Sequence, residues 1–319
     1  METLPFIDHM KSQPFWLLLL SSLGFLYLSK LTTSLLKWVY STFLRPPKNL
    51  KNYGSWALVT GATDGIGKCM AFQLAQQGLH LILLGRNADK LRDVSDAIEA
   101  KFRETKIKKV VVDLAGDLTE GIEKIGAAIE GLDVGVLINC AGFADSRLRF
   151  FHEVDEETVK SMVTVNIEST TKVTKVVLKG MKERKRGAIV NIGSGATVIR
   201  PCLPLCAVYA GTKAYISQFS RGLYVEYKKS GIDVQCQMPF FVSTKMVGFK
   251  TQSFFTPSPE AYSQAAVRWI GYEPFCIPFW THHIQWYLTS LLPDTPSFAW
   301  RLHSSFGNRR GPKGSDKNE

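Results

Sequence analysis

Tyr209 and Lys213, in the run Tyr-Ala-Gly-Thr-Lys, stand one helical turn apart, so a helix there presents a phenol and an ammonium group on one face. Upstream, Thr60-Gly61-Ala62-Thr63-Asp64-Gly65-Ile66-Gly67 joins an apolar run to an amphipathic one. A Cβ at Gly61, Gly65 or Gly67 would block a tight turn and keep backbone amides away from a pyrophosphate at the following helix N-terminus. Either feature alone also fits a bland reading, an exposed helix or an ordinary strand-to-helix loop. Together they indicate hydride transfer with a dinucleotide cofactor. The second apolar run ends in Gly85-Arg86-Asn87 and offers no carboxylate to a ribose 2′-hydroxyl, whereas Arg86 suits a 2′-phosphate. NADPH is the cofactor this pattern favours.

Elements of the right kind surround these residues. Apolar runs at 56–60, 79–84, 110–113, 134–139, 188–192 and 232–239 read as strands, alternating with helical stretches at 68–77, 89–102, 119–130, 156–184 and 209–229. Strand and helix repeating at this spacing predict an α/β fold, a Rossmann-like doubly wound parallel sheet, with its core between about residues 52 and 250. The expected division is 1–50 as membrane anchor and linker, 51–265 as the dinucleotide-binding domain, and 266–319 as a substrate- and membrane-proximal segment with a basic, disordered tail.

Residues 14–29 carry no charge, and apolar character resumes beyond Lys30, as a bilayer span of about 20 residues requires. Glu2 and Asp8 precede this run, while Lys30, Lys37, Arg45, Lys48 and Lys51 follow, so the C-terminal side is expected in the cytosol. No small-residue cleavage site follows the run, against a removed signal peptide. Arg45-Pro46-Pro47-Lys48 reads as a stiff linker. The formal net charge of +11 favours anionic partners such as phosphorylated cofactors, acyl-CoA or membrane headgroups, and no motif supports nucleic acid. Six scattered cysteines lack zinc-site spacing and suit a reduced, cytosol-facing domain; no metal is expected.

The Gly-x-x-x-Gly-x-Gly loop with Tyr-x-x-x-Lys resembles the short-chain dehydrogenase/reductase superfamily. The resemblance implies cofactor contacts from Gly61, Thr63, Asp64, Gly65, Ile66, Gly67 and Arg86, from Asp113 closing the third strand, and from Asn139, Ala141 and Gly142 closing the fourth. Val242 and Thr244 after the sixth strand, with Tyr209 and Lys213, complete that set. The usual Asn-Asn-Ala-Gly appears here as Asn139-Cys140-Ala141-Gly142, and the missing asparagine normally ties neighbouring strands by hydrogen bonds. The implied mechanism has Tyr209 donate a proton to the ketone oxygen, Lys213 ease that transfer by its charge and hold the nicotinamide ribose, Ser194 bind the substrate carbonyl, and Asn166 hold a proton-relay water. Ser194 stands two residues further from Tyr209 than is most common, which predicts a longer loop containing Pro201 and Pro204.

Phe-Leu-Arg-Pro-Pro-Lys-Asn-Leu, Phe151-His152-Glu153-Val154, the run from Val225 to Gln237, and Pro239-Phe240-Phe241-Val242-Ser243-Thr244-Lys245-Met246 in place of Pro-Gly are similar to the very-long-chain 3-oxoacyl-CoA reductases of fatty acid elongation. These are close to a branch of 17β-hydroxysteroid dehydrogenases. The resemblance implies NADPH-dependent reduction of 3-oxoacyl-CoA at the endoplasmic reticulum membrane, with elongase subunits as partners and an oligomer as an option. A lipid-ketone dehydrogenase, or a silent paralogue kept as a complex partner, remains an alternative. Lys245 and Lys250 either face the CoA phosphates or are solvated; residues 275–292 either form an acyl portal or bilayer contact or pack against the sheet. The terminus Asp316-Lys317-Asn318-Glu319 holds only one lysine of a dilysine retrieval signal.

Overall fold

The computed structural model describes residues 14–145, 147–199, 203–246, 252–291, 293, 295 and 300–301. Pro201, Cys202, Lys250, Leu292, the acidic residues before the apolar run and the basic tail lie outside that set. The chain separates into two compact units, one ending at Pro46 and one beginning at Pro47.

In the first unit, helix α1 (Phe15–Val39) continues through a π-helical turn at Tyr40–Leu44. The stretch Phe15–Leu44 has 30 residues with a window of mean hydropathy 1.5, and is long and apolar enough to cross a membrane. Its apolar side chains are turned outward, Phe25 and Leu26 being 71% and 64% exposed.

The second unit is built on a seven-stranded sheet in the order β3-β2-β1-β4-β5-β6-β7, every pairing parallel. The strands are β1 (Trp56–Thr60), β2 (His80–Gly85), β3 (Ile107–Val111), β4 (Val134–Asn139), β5 (Gly187–Ile192), β6 (Ile232–Gln237) and β7 (Phe275–Cys276). Their helices are α2 (Gly65–Gln76), α3 (Ala88–Lys101), α4 (Leu118–Ile129), α5 (Glu156–Val163), α6 (Ser169–Arg184), α7 (Ala207–Tyr227), α8 (Pro259–Arg268) and α9 (Trp280–Ser290). This is the doubly wound α/β sheet the alternation predicts.

Side-chain alternation divides the core into two layers. Ala57 and Val59 of β1 pack with Met70 and Leu74 of α2 and with Leu91 and Ile98 of α3. Leu58, between them in sequence, joins Ile125 of α4 and Val173 and Val177 of α6 on the opposite face. Central strands covered on both faces need unbroken apolar runs, and every residue of β4 and β5 is buried.

Four expectations change. Strand β3 lies earlier than 110–113, and Asp113 falls two residues past its end; on this edge strand the exposed Lys108 and Lys109 mask the apolar signal. The single helix expected over 156–184 is broken by a π-helical turn at Thr164–Glu168. The core extends past residue 250: α8 spans the expected boundary at 265, and its Tyr262 and Ala266 share a layer with Met70 and Leu74. Finally, the segment from 275 adds β7 beside β6 and then α9, where Thr281 and His282 are buried while Tyr287, Leu288 and Leu291 are exposed.

Lys48 closes the fold's near end. It binds Asp233 at 3.1 Å and the Gly271 carbonyl, and Asp233 also accepts from Tyr53 at 2.5 Å and Lys228 at 2.6 Å. Burial pushes the Asp233 carboxyl up, but these donors outweigh it and hold the group below its ordinary range.

Candidate active site

The turn after β1 brings two stretches of backbone into contact. Gly61 has φ +67°, and a Cβ there would lie 2.9 Å from the Cα of Ala141; one on Gly67 would strike the Gly61 carbonyl. Asp64 caps α2, accepting from the Gly65 amide at 2.8 Å, and its other oxygen meets Lys245 at 2.9 Å. Burial raises the Asp64 pKa, yet the Lys245 and Gly65 bonds bring it below its ordinary value. The amides of Cys140 and Ala141 both donate to the Thr60 hydroxyl at 3.0 Å, so Thr60 locks the ends of β1 and β4 together. A strand-end threonine carries no distinctive local signal in sequence, so this role of Thr60 emerges only from the fold.

A cleft of about 450 Å³ opens above these strand ends. Gly61, Thr63, Asp64, Gly65, Ile66, Gly67, Arg86, Asp113, Ala141, Gly142, Tyr209, Lys213, Val242 and Thr244 all line it. Its floor is a turn packed so tightly that a Cβ on Gly61 or Gly67 would strike neighbouring backbone, at a helix N-terminus, with the exposed Arg86 on the cleft wall; these features fit a phosphorylated dinucleotide.

Asn139, expected among the cofactor contacts, does not line the cleft. It is 4% exposed, and its amide nitrogen donates to Asn191 at 2.8 Å and Thr174 at 2.9 Å, bracing β4 to β5 and α6. Asn191 passes the chain on to Ser220 of α7 at 2.9 Å. The cross-strand tie therefore persists despite Cys140, a residue of the cleft lining whose side chain packs against the core and whose thiol is pushed up to about 12 by burial, with the Lys213 charge opposing.

Asn166 also lies off the cleft wall. Its Oδ1 accepts from the Phe143 amide at 2.7 Å, while Nδ2 donates to the Phe143 carbonyl at 2.9 Å and to Thr212 at 3.0 Å. The π-helical turn that carries it lets one side chain clamp the strand-β4 exit to α7.

On α7, Lys213 is 6% exposed; its Nζ donates to the Ile192 carbonyl at 2.9 Å and lies 5.9 Å from the Tyr209 ring centroid. Ser194 follows β5 in extended conformation and accepts from the Ala196 amide at 3.2 Å. The Gly195 amide donates to the Pro239 carbonyl at 2.7 Å, tying the serine loop to the β6 exit.

A second cavity, of about 130 Å³, has a largely apolar wall that includes Leu148, Phe151, Met162, Ile199, Leu203, Leu205 and Val208. Ser194, Tyr209, Phe240 and Met246 line both cavities and so mark their junction. A Cβ on Gly195 would lie 2.7 Å from the Phe240 ring. Leu205 holds φ +61°, a left-handed backbone unusual for a leucine, in the lengthened loop between Ser194 and Tyr209.

Residues 55–253 match the family described as short chain dehydrogenase. A very-long-chain 3-oxoacyl-CoA reductase-like protein of Arabidopsis thaliana is 50% identical over 305 residues, covering 94% of this chain and 96% of its own. A very-long-chain 3-oxoacyl-CoA reductase of Anas platyrhynchos is 40% identical over 248 residues, covering 76% and 77%. Among solved structures, one described by 7beta-hydroxysteroid dehydrogenase stereoselectivity matches with TM-score 0.71 at 22% identity, over 81% of this chain and 100% of that one, a likeness of fold.

Proposed function

The chain belongs to the short chain dehydrogenase family, and from that premise we propose that it reduces a very-long-chain 3-oxoacyl-CoA to the 3-hydroxyacyl-CoA, with NADP(H) as cofactor. The observation that carries this reading is the pair Ser194 and Tyr209, set where a dinucleotide-shaped cleft meets an apolar cavity. A keto group placed at that junction has its chain among apolar side chains and its oxygen beside two hydroxyls.

NADPH, when bound, supplies the hydride that reaches the carbonyl carbon. Tyr209 gives its phenolic proton to the carbonyl oxygen. Ser194, whose oxygen already accepts from the Ala196 amide, keeps its own proton to donate to that same oxygen. Lys213 spends one of its three N–H bonds on the Ile192 carbonyl, leaving two for the cofactor ribose and the phenol side. Asn166 contributes by fixing Phe143, a wall residue of the cleft, to α7.

The N-terminal apolar helix supports a single-pass anchor, and the basic residues after it support a cytosolic catalytic domain at the endoplasmic reticulum, next to elongase subunits. The intact tie from Asn139 to Asn191 favours a working enzyme over a silent paralogue. The test is NADPH oxidation by detergent-solubilised protein with a long-chain 3-oxoacyl-CoA, run beside NADH and a 17-ketosteroid. NADPH-dependent turnover of the thioester, lost in Tyr209→Phe while NADPH still binds, is the expected result. Preferred turnover of the steroid, or NADPH binding without any turnover, would overturn it.

A further inference from the structure

Five cations line the two cavities among the described residues: Arg86, Lys213 and Lys245 on the dinucleotide cleft, Arg147 and Arg149 on the apolar one. Their surroundings sort them. Lys245 is paired with Asp64, and Lys213 is committed to the Ile192 carbonyl. Arg149 is locked: Nε and Nη2 hold one oxygen of Asp145 at 2.9 and 2.5 Å, Nη2 also reaches Asp155 at 3.4 Å, and Nη1 donates to the Glu153 carbonyl at 3.1 Å. The other Asp145 oxygen accepts the Arg147 backbone amide at 2.9 Å. Asp145, the one carboxylate on the apolar cavity's wall among the described residues, is thus consumed by its neighbours.

Arg86 stands on the cofactor cleft, where it suits the 2′-phosphate, so on the apolar cavity Arg147 is what remains. Its side chain is exposed at the cavity edge and its guanidinium makes no hydrogen bond or ion pair with any described residue, so among the described residues this largely apolar cavity carries one uncompensated positive charge at its rim. We propose that Arg147 is a phosphate-binding residue at the mouth of the substrate cavity, selecting thioesters by their phosphorylated carrier rather than by their acyl chain. The inference rests on the function proposed above and names the part of the substrate that the apolar wall cannot recognise. An acyl chain gains by leaving water for Leu148, Phe151 and Met162, whereas phosphates are too costly to desolvate and must stay at the solvated rim. A guanidinium fork there meets two phosphate oxygens at once. The same group chemistry exists on an anionic phospholipid, so the test separates the two sources.

Full-length wild type, Arg147→Met and Arg147→Lys are assayed in neutral detergent with a 3-oxoacyl-CoA and with the N-acetylcysteamine thioester of the same acid, which has no phosphate. Arg147→Met is expected to raise KM for the CoA ester about fivefold, to leave KM for the phosphate-free thioester and both kcat values in place, and to regain part of the loss as Arg147→Lys. Binding titrations with coenzyme A and pantetheine should repeat the split without turnover. Equal KM shifts for both thioesters, or none, would overturn the assignment. So would an Arg147→Met defect confined to co-sedimentation with phosphatidylserine-containing vesicles, which would assign the residue to lipid. If wild type reduces neither thioester, the functional reading fails, and the coenzyme A titration still decides the role of Arg147.

Discussion

The imidazole of His282 bridges the backbone of the β6 exit, accepting from the Phe240 amide at 3.3 Å and meeting the Phe241 carbonyl at 3.1 Å. Only the neutral ring with its proton on Nε2 satisfies both. Phe240 lines both cavities and lies over Gly195, so a histidine on α9 sets the wall beside Ser194. Burial lowers this group to about 4, against the opposing effect of its bonds to the Phe241 and Phe255 backbone. The folded state therefore resists protonation more than the unfolded chain, and stability is fully present above the unfolded pKa of about 6.5 and lost as pH falls from there toward 4. The depression corresponds to about 3 kcal/mol. Denaturation curves from pH 7 to 5 should show His282→Gln losing less stability over this window than wild type; equal slopes would remove His282 as the cause.

Cys140 should be chemically quiet. Its thiol is pushed up to about 12, and its backbone, not its side chain, makes the contact to Thr60. A maleimide should leave it unlabelled at pH 7.5 in the folded protein, and Cys140→Ala should change kcat by less than about threefold. Rapid labelling, or a loss like that of Tyr209→Phe, would show that the thiol has a role in the reaction.

Asn191 is the centre of a buried chain running from Thr174 through Asn139 to Ser220. Asn191→Ala strands an N–H donor on Asn139, while the Ser220 hydroxyl keeps its bond to the Ile216 carbonyl and loses only the one it accepts, at a cost of about 1–3 kcal/mol. Urea unfolding measures this directly, and the loss should exceed that of Cys140→Ala, since the strand tie runs through Asn139 and not through the thiol.

Arg86 stands exposed on the cleft wall, and the turn Gly85-Arg86-Asn87 at the β2 exit holds no carboxylate. Arg86→Leu should lower the preference for NADPH over NADH about 10- to 100-fold, the range of one charge-assisted contact to a phosphate. KM values for the two cofactors test this; an unchanged ratio would place the 2′-phosphate on another residue.

What the sequence determined by itself is what depends on neighbours along the chain. Tyr209 and Lys213 share a face because a helix repeats every 3.6 residues, and the strands Trp56–Thr60 and Val134–Asn139 follow from unbroken apolar runs between turn signals. The glycines of the first turn are legible for the same local reason. Tertiary structure decided whatever needed a partner distant in sequence: that Asn139 faces Asn191 rather than the cleft, that Asn166 clamps Phe143, that His282 supports Phe240, and that Arg149 consumes Asp145 and leaves Arg147 open. These polar side chains carry no periodic signal, because the free energy of burying each depends on which donor or acceptor the folded chain brings beside it. Strand β7 was hidden likewise, since two residues pair there only because β6 already presents an open edge.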